Sequence, residues 1–173
     1  VPFFINAMTG GTHATAAINA GLAEAAAEAG VAIACGSQHV ALRDPERADG
    51  FHVIRHRAPD AFVLANVGPT VSPQEALQAV EMLEANALQI HLNAAQELVM
   101  PEGDRDFTGW SEAIAGIVAA VPVPVVVKEV GFGLSRRTIE ALARTGVAAV
   151  DVAGAGGTDF VAIENERRPQ RDL

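Results

Sequence analysis

The sequence predicts an α/β domain of parallel strands joined by crossover helices, and two observations carry that expectation. Short β-branched runs alternate with longer helical patterns, and strand starts recur at about the spacing of one βα unit. A third observation concerns function: each apolar run ends in polar residues, the pattern expected where strand ends share one pocket.

The first apolar run, residues 3–8, ends in Asn6 to Thr9. It is followed by a helix over 12–29 with an apolar stripe of Ile18, Leu22 and Ala26, closed by Gly30 at the C′ position. A strand over 31–36 leads into Gly36-Ser37-Gln38, and Asp44-Pro45 caps a helix over 45–57. The run 62–67 carries Asn66. Ser72-Pro73-Gln74-Glu75 then has an N-cap serine, a proline at the first helical position and a glutamate where a capping box needs it, opening a helix over 73–84. Strand 88–92 runs into His91-Leu92-Asn93. A helix over 110–121 has its stripe at Ile114, Ile117, Val118 and Val121. Strand 125–130 carries Lys128-Glu129, Ser135 caps a helix over 135–145, Gly146 follows it, and strand 148–152 ends near Asp151.

Six βα units are too few for a closed eight-stranded barrel, which takes about 250 residues. The expectation is therefore an incomplete TIM-type (β/α)₈ barrel holding strands 1–6. The competitor, a doubly wound open sheet, announces itself with G-x-G-x-x-G after its first strand. Met8-Thr9-Gly10-Gly11-Thr12 does not match that spacing. With no linker or low-complexity tract, residues 1–173 read as one partial barrel domain. Val1 falls inside an apolar strand and no initiator Met precedes it, so an N-terminal segment and the last barrel units are expected to lie outside this stretch.

Composition excludes some classes. Twelve basic residues face 21 acidic ones, for a net charge of −9, and no basic stripe is present to neutralise phosphates, so a nucleic-acid partner is not expected. No apolar run approaches the roughly 18 residues that span a membrane. Cys35 is the one cysteine, which excludes a disulfide framework and a thiolate cage; a cytoplasmic protein is expected.

Lys128 is the sharpest clue. It is the one lysine of the chain and interrupts Val125-Val126-Val127-Lys128-Glu129-Val130, where burying an unpaired charge is costly. An edge lysine would snorkel out of the sheet; a functional one would face an anionic ligand or a reduced flavin ring, or form a Schiff base. Position alone does not separate the last two, the ligand-facing cation and the Schiff base. Gly10-Gly11 and Ala153-Gly154-Ala155-Gly156-Gly157-Thr158 permit close backbone approach and anion binding, although any tight turn after a strand needs glycine. In Gln89-Ile90-His91-Leu92-Asn93-Ala94-Ala95-Gln96-Glu97, His91 and Asn93 share a strand face. Gln96 could orient a ligand while Glu97 takes Mg²⁺, which prefers few protein oxygens plus substrate phosphates. The plainer reading makes His91 a core histidine and Glu97 the start of a solvated helix. His13, His39, His52 and His56 show no ligand spacing, so a zinc site is not expected, and no nucleophile elbow, P-loop or H-E-x-x-H occurs.

Taken together, Ile5-Asn6-Ala7-Met8-Thr9-Gly10-Gly11, Gly36-Ser37-Gln38, Ala65-Asn66-Val67-Gly68, Gln89-Ile90-His91-Leu92-Asn93 with Gln96-Glu97, the acidic loop 101–107, Val127-Lys128-Glu129-Val130-Gly131-Phe132-Gly133 and Gly156-Gly157-Thr158 resemble the motifs of type 2 isopentenyl-diphosphate isomerases, in that family's order. The resemblance implies conversion of isopentenyl diphosphate to dimethylallyl diphosphate in isoprenoid biosynthesis with FMN, Mg²⁺ and NAD(P)H, without net redox change, and a homo-oligomer of the complete protein. It implies FMN contacts at Ala7, Met8, Thr9, Ser37, Asn66, Lys128 and Thr158. It puts Ser37, Gln38, His39, His91, Asn93 and Gln96 on the substrate side, with Gln96 catalytic and Glu97 the Mg²⁺ ligand. His39 stands where family members often carry arginine, and Ala153 where many carry a hydroxyl. The alternatives are another FMN-dependent barrel oxidoreductase or an inactive barrel fragment; the 173-residue piece by itself is expected to be inactive.

Overall fold

The computed structural model describes residues 3–168. Its six strands are β1 (Phe4–Ile5), β2 (Ala32–Ala34), β3 (Val63–Val67), β4 (Ala87–Leu92), β5 (Val125–Glu129) and β6 (Ala149–Asp151). They pair in parallel in chain order, β1 to β6, as the βα rhythm predicts. The sheet is curled. Gln89 Nε2 on β4 reaches Asn6 Oδ1 beyond β1 at 3.5 Å, whereas a flat sheet would hold β1 and β4 about 14 Å apart. The result is a half-barrel whose concave side is the lumen.

Side-chain alternation sorts the strand residues into two layers. Ile33, Val63, Ala65, Val67, Leu88, Ile90 and Val127 belong to the large core that also takes in helix residues such as Ala26, Ile54, Ile114 and Ile117. The opposite parity gives a small lumen cluster of Ala34, Leu64 and Ala87. One and two pleats further along the strands, that same parity delivers buried Asn66, Gln89 and Lys128. The lumen is thus apolar towards the strand starts and polar towards their carboxyl ends.

The helices are α1 (His13–Ala29), α2 (His39–Arg43), α3 (Asp49–Arg57), α4 (Pro73–Met82), α5 (Ala94–Val99), α6 (Trp110–Ala120), α7 (Arg136–Ala143) and α8 (Phe160–Arg167). The predicted caps form: the Ser72–Glu75 capping box, Asp44 accepting from the Glu46 N–H, Ser135 accepting from Thr138, and left-handed Gly30. The helix expected over 45–57 is instead a 3₁₀ turn at Pro45–Arg47 followed by α3. The short α2 and α8 lie where no element was expected, whereas α5 is the helix that the plainer reading of Glu97 expects. Ile18 is exposed, contrary to the predicted stripe, because α1 turns Asn19, Ala23 and Ala26 inward.

The amino-terminal end is tied by Arg55 of α3. Its guanidinium donates to the carbonyls of Ala58, Pro59, Ala61, Leu83 and Glu84 and to Asn86 Oδ1, at 2.8–3.4 Å. Asn86 Oδ1 also accepts the Val63 N–H, so one side chain fastens the entrances to β3 and β4. Among the described residues no helix is long and apolar enough to cross a membrane.

Candidate functional site

At the carboxyl end two adjoining cavities share a wall made by Ala7, Met8, Lys128, Val130 and Phe160. The first, about 210 Å³, is the polar lobe, where Ser37, Asn66, His91, Asn93 and Gln96 face Met8, Met100 and Phe160. The second, about 400 Å³, is the glycine-rich lobe, lined by Asn6, Asp151, Thr158 and the 153–157 turn. Residues from the ends of β1, β2, β3, β4, β5 and β6 therefore gather in one place, as the strand-end pattern predicts.

Lys128 stands between the lobes. Register sets it beside His91 on β4 and Asp151 on β6. The residue is buried, and its Nζ donates to the Glu129 carbonyl at 3.0 Å. Its other two N–H groups have no acceptor among the described residues. The adjacent carboxylate is directed elsewhere: strand alternation turns Glu129 to the opposite face of β5, where its Oε2 accepts the N–H groups of Gly131, Phe132 and Gly133 at 2.7, 2.5 and 2.9 Å. Burial pushes the ammonium below the usual lysine range, against the pull of Asp151 and Glu129. An anionic ligand would give this cation its missing acceptors.

The polar lobe is wired through one chain of hydrogen bonds whose direction is set at its start. Asn6 Oδ1 accepts the backbone N–H of Ala7 at 2.8 Å, so the Gln89 amide must donate to it. Gln89 Oε1 then accepts from Asn66 Nδ2 at 3.3 Å, and Asn66 Oδ1 faces His91 Nδ1 at 2.8 Å. His91 is therefore the Nδ1–H tautomer, with Nε2 as an acceptor. Burial, helped by neighbouring His39 and Lys128, pushes this imidazole down to about 4, so it is neutral at physiological pH.

Asn93 and α5 complete the lobe. Asn93 Nδ2 donates to Glu97 Oε1 at 2.9 Å and to Gln96 Oε1 at 3.4 Å. Gln96 Nε2 donates to Glu164 Oε1 of α8 at 3.2 Å. Glu164 is buried and pairs with Arg167, which also bonds Glu102 at 2.7 Å. Glu164 and Phe160 did not stand out in the sequence, since the docking of α8 against α5 that brings them here has no local signal. Glu97 Oε2 accepts the Asp104 N–H at 2.8 Å, leaving each carboxylate oxygen with lone pairs to spare. Among the described residues no three His, Cys, Asp or Glu side chains converge to hold a metal.

Several expected contacts are placed elsewhere. The Gln38 side chain, implied on the substrate side, is turned into the helix layer: Oε1 accepts the Asn66 N–H at 2.9 Å and Nε2 donates to the Ala79 carbonyl at 3.0 Å. The Thr9 hydroxyl bonds Asn19 of α1 and not the glycine-rich lobe. His39 lines neither cavity. It flanks Gly68 together with His91, since a Cβ on Gly68 would lie 3.3 Å from His39 Cε1 and 3.5 Å from His91 Nε2. Burial, then Arg43, lowers its pKa, while Glu75 and Glu97 pull the other way. Glu97 lies in the first turn of α5, as the plainer reading expected, yet its carboxylate is held on both oxygens. Gly36 has a steric reason missed in the sequence: a Cβ there would fall 1.9 Å from the Thr9 carbonyl, so the β1–α1 loop can cross the end of β2.

No family model matches the chain. Curated relatives named isopentenyl-diphosphate delta-isomerase do. The protein of Kitasatospora griseola is 60% identical over 99% of this chain and 47% of its own length. That of Listeria monocytogenes is 56% identical over 96% and 47%, and that of Staphylococcus aureus 54% identical over 99% and 49%. The chain thus spans about half the length of the curated relatives it matches. Among solved structures, a dihydrodipicolinate synthase family protein from Coccidioides immitis has a TM-score of 0.57 at 18% identity, covering 85% of this chain and 51% of that one. A mandelate racemase/muconate lactonizing enzyme from Roseiflexus sp. has a TM-score of 0.55 at 16% identity, covering 95% and 45%. Likeness at that identity concerns the fold alone.

Proposed function

We propose that the full-length protein isomerises isopentenyl diphosphate to dimethylallyl diphosphate with FMN held at Lys128, as a type 2 isopentenyl-diphosphate isomerase. The observation that carries the reading is the buried lysine between two cavities, with two N–H groups that have no acceptor among the described residues. The relatives' names support an isomerase over an FMN oxidoreductase or an inactive fragment.

The residues fit the groups that the reading requires. Lys128 offers charge and two donors to an electron-rich ring, and the 153–157 turn, with Ala153, Gly154, Gly156 and Gly157 at positive φ, offers exposed backbone beside it. When bound and reduced by NAD(P)H, FMN would supply a proton source and an electron-rich face for a reaction with no net redox change. Glu97 suits Mg²⁺, which takes one or two carboxylates and completes its shell with water and phosphate oxygens.

The chain's own groups divide the remaining work. Neutral His91 presents Nε2 without adding a charge to the lobe. Gln96, oriented by Asn93 and Glu164, keeps one N–H and one carbonyl lone pair for the substrate's reacting carbons. Met8, Met100, Val130 and Phe160 form an apolar wall that keeps water from a cationic transition state. Gln38 acts from outside, fixing the backbone that presents Asn66.

The test is an isomerase assay of full-length protein with isopentenyl diphosphate, FMN, Mg²⁺ and NADPH. Gln96→Ala should retain FMN and lose turnover by roughly 10²-fold or more, the scale of a positioning group lost at the reacting atoms. Bound flavin with no isomerase activity in the wild type would reject the reading in favour of another flavin barrel enzyme.

A further inference from the structure

The helix that carries Gln96 and Glu97 has six residues, too few to hold its own shape in water. Its N-terminal side is tied by Asn93. Its other end is tied by Arg105, whose guanidinium donates to the carbonyls of Glu97 at 2.5 Å, Gly103 at 2.6 Å, Asp104 at 3.0 Å and Met100 at 2.9 Å. Among the described residues Arg105 has no carboxylate partner within ion-pair distance, so its charge faces the carbonyl end of α5, where a cation is favoured. The loop it gathers lies so close to α5 that a Cβ on Gly103 would fall 2.1 Å from the Glu97 carbonyl. That approach is what delivers the Asp104 N–H to Glu97 Oε2.

We infer that Arg105 is the positioning residue that holds the Glu97 carboxylate for a divalent cation; the inference rests on the reading of Glu97 given above. Without Arg105 the loop loses four hydrogen bonds, the Asp104 N–H leaves, and Glu97 is steered by Asn93 alone. Lysine cannot substitute, because a point charge on a flexible stem does not span four carbonyls. A role confined to stability would lower the melting temperature and leave cation affinity untouched.

The experiment measures Mn²⁺ binding to FMN-loaded full-length protein by electron paramagnetic resonance, with inorganic diphosphate present, for wild type, Arg105→Ala, Arg105→Lys, Gly103→Ala and Glu97→Gln. Both Arg105 variants and Gly103→Ala should bind Mn²⁺ roughly tenfold more weakly with flavin content unchanged, as losing the support of a ligand does, and guanidinium ions should partly restore Arg105→Ala. The Mg²⁺ concentration for half-maximal rate should rise in step, with kcat at saturating Mg²⁺ nearly unchanged. If Arg105→Ala does not fold, Arg105→Lys and Gly103→Ala decide by the same criterion. Wild-type Mn²⁺ affinity in these variants, with Glu97→Gln weakened, overturns the role of Arg105 and leaves the reading of Glu97 standing. Wild-type affinity in Glu97→Gln removes the cation site itself, and the inference with it.

Discussion

Arg55 and Lys128 are both cations drawn into the protein, at opposite ends of the half-barrel, and their surroundings differ in kind. Arg55 has an acceptor for nearly every donor: five carbonyls and one amide oxygen from the loops entering β3 and β4. Lys128, more deeply buried, has one backbone carbonyl among the described residues. The carboxylate next to it in sequence, Glu129, is turned to three backbone N–H groups. A cation saturated by its own chain contributes stability, whereas one left short of acceptors costs stability and keeps its donors for a ligand. The half-barrel thus separates a satisfied amino-terminal end from a carboxyl end with unused hydrogen-bonding capacity, the division expected of barrel enzymes.

The largest effect expected from this comparison is at Arg55. Arg55→Ala strands carbonyls in both loops and should cost about 3 kcal/mol in urea unfolding, with Arg55→Lys recovering little. A loss under about 1 kcal/mol would make Arg55 an ordinary surface arginine.

The next effect is acid-dependent and belongs to His91. Its folded pKa, about 4, lies below the ordinary 6.5, so the unfolded chain binds a proton that the folded one refuses. Stability from this group is therefore full above the ordinary value and is lost as pH falls from about 6.5 towards 4, by about 2 kcal/mol between pH 8 and pH 5. His91→Gln should flatten that part of the profile. Nitrogen-detected NMR of the wild type should find the Nδ1–H tautomer down to pH 5; an Nε2–H tautomer would break the Asn6–Gln89–Asn66–His91 chain.

A smaller effect of opposite sign is expected at Lys128. Lys128→Met replaces a desolvated, under-paired charge with an apolar chain of similar length and should stabilise the ligand-free protein by about 1 kcal/mol. Destabilisation would place Lys128 in the same class as Arg55.

These two cations also show what the sequence discloses. Lys128 was legible because a charge inside an apolar run contradicts its neighbours. Arg55 was not, because it sits on a helix where arginine is ordinary, and what makes it structural is two loops arriving from elsewhere. Parallel order and the caps at Ser72, Asp44 and Ser135 were local and readable. Gln38 looked like part of a polar strand end, yet strand parity does not extend past the strand, and its side chain goes to the helix layer. Glu164 reaches Gln96 through the docking of α8 on α5, and the approach of His39 to His91 depends on where α2 settles beside Gly68, just past the end of β3. Neither juxtaposition has a spacing that a sequence can display.

If Lys128 keeps its donors for the flavin ring, as proposed above, the decisive experiment titrates FMN into full-length wild type and Lys128→Met, read by quenching of flavin fluorescence alongside urea unfolding of the ligand-free forms. Lys128→Met should bind FMN at least roughly tenfold more weakly, the scale of a lost charge-assisted hydrogen bond, while being as stable as wild type or more so. Equal FMN affinity in a stable Lys128→Met protein would mean that the lysine does not serve the flavin.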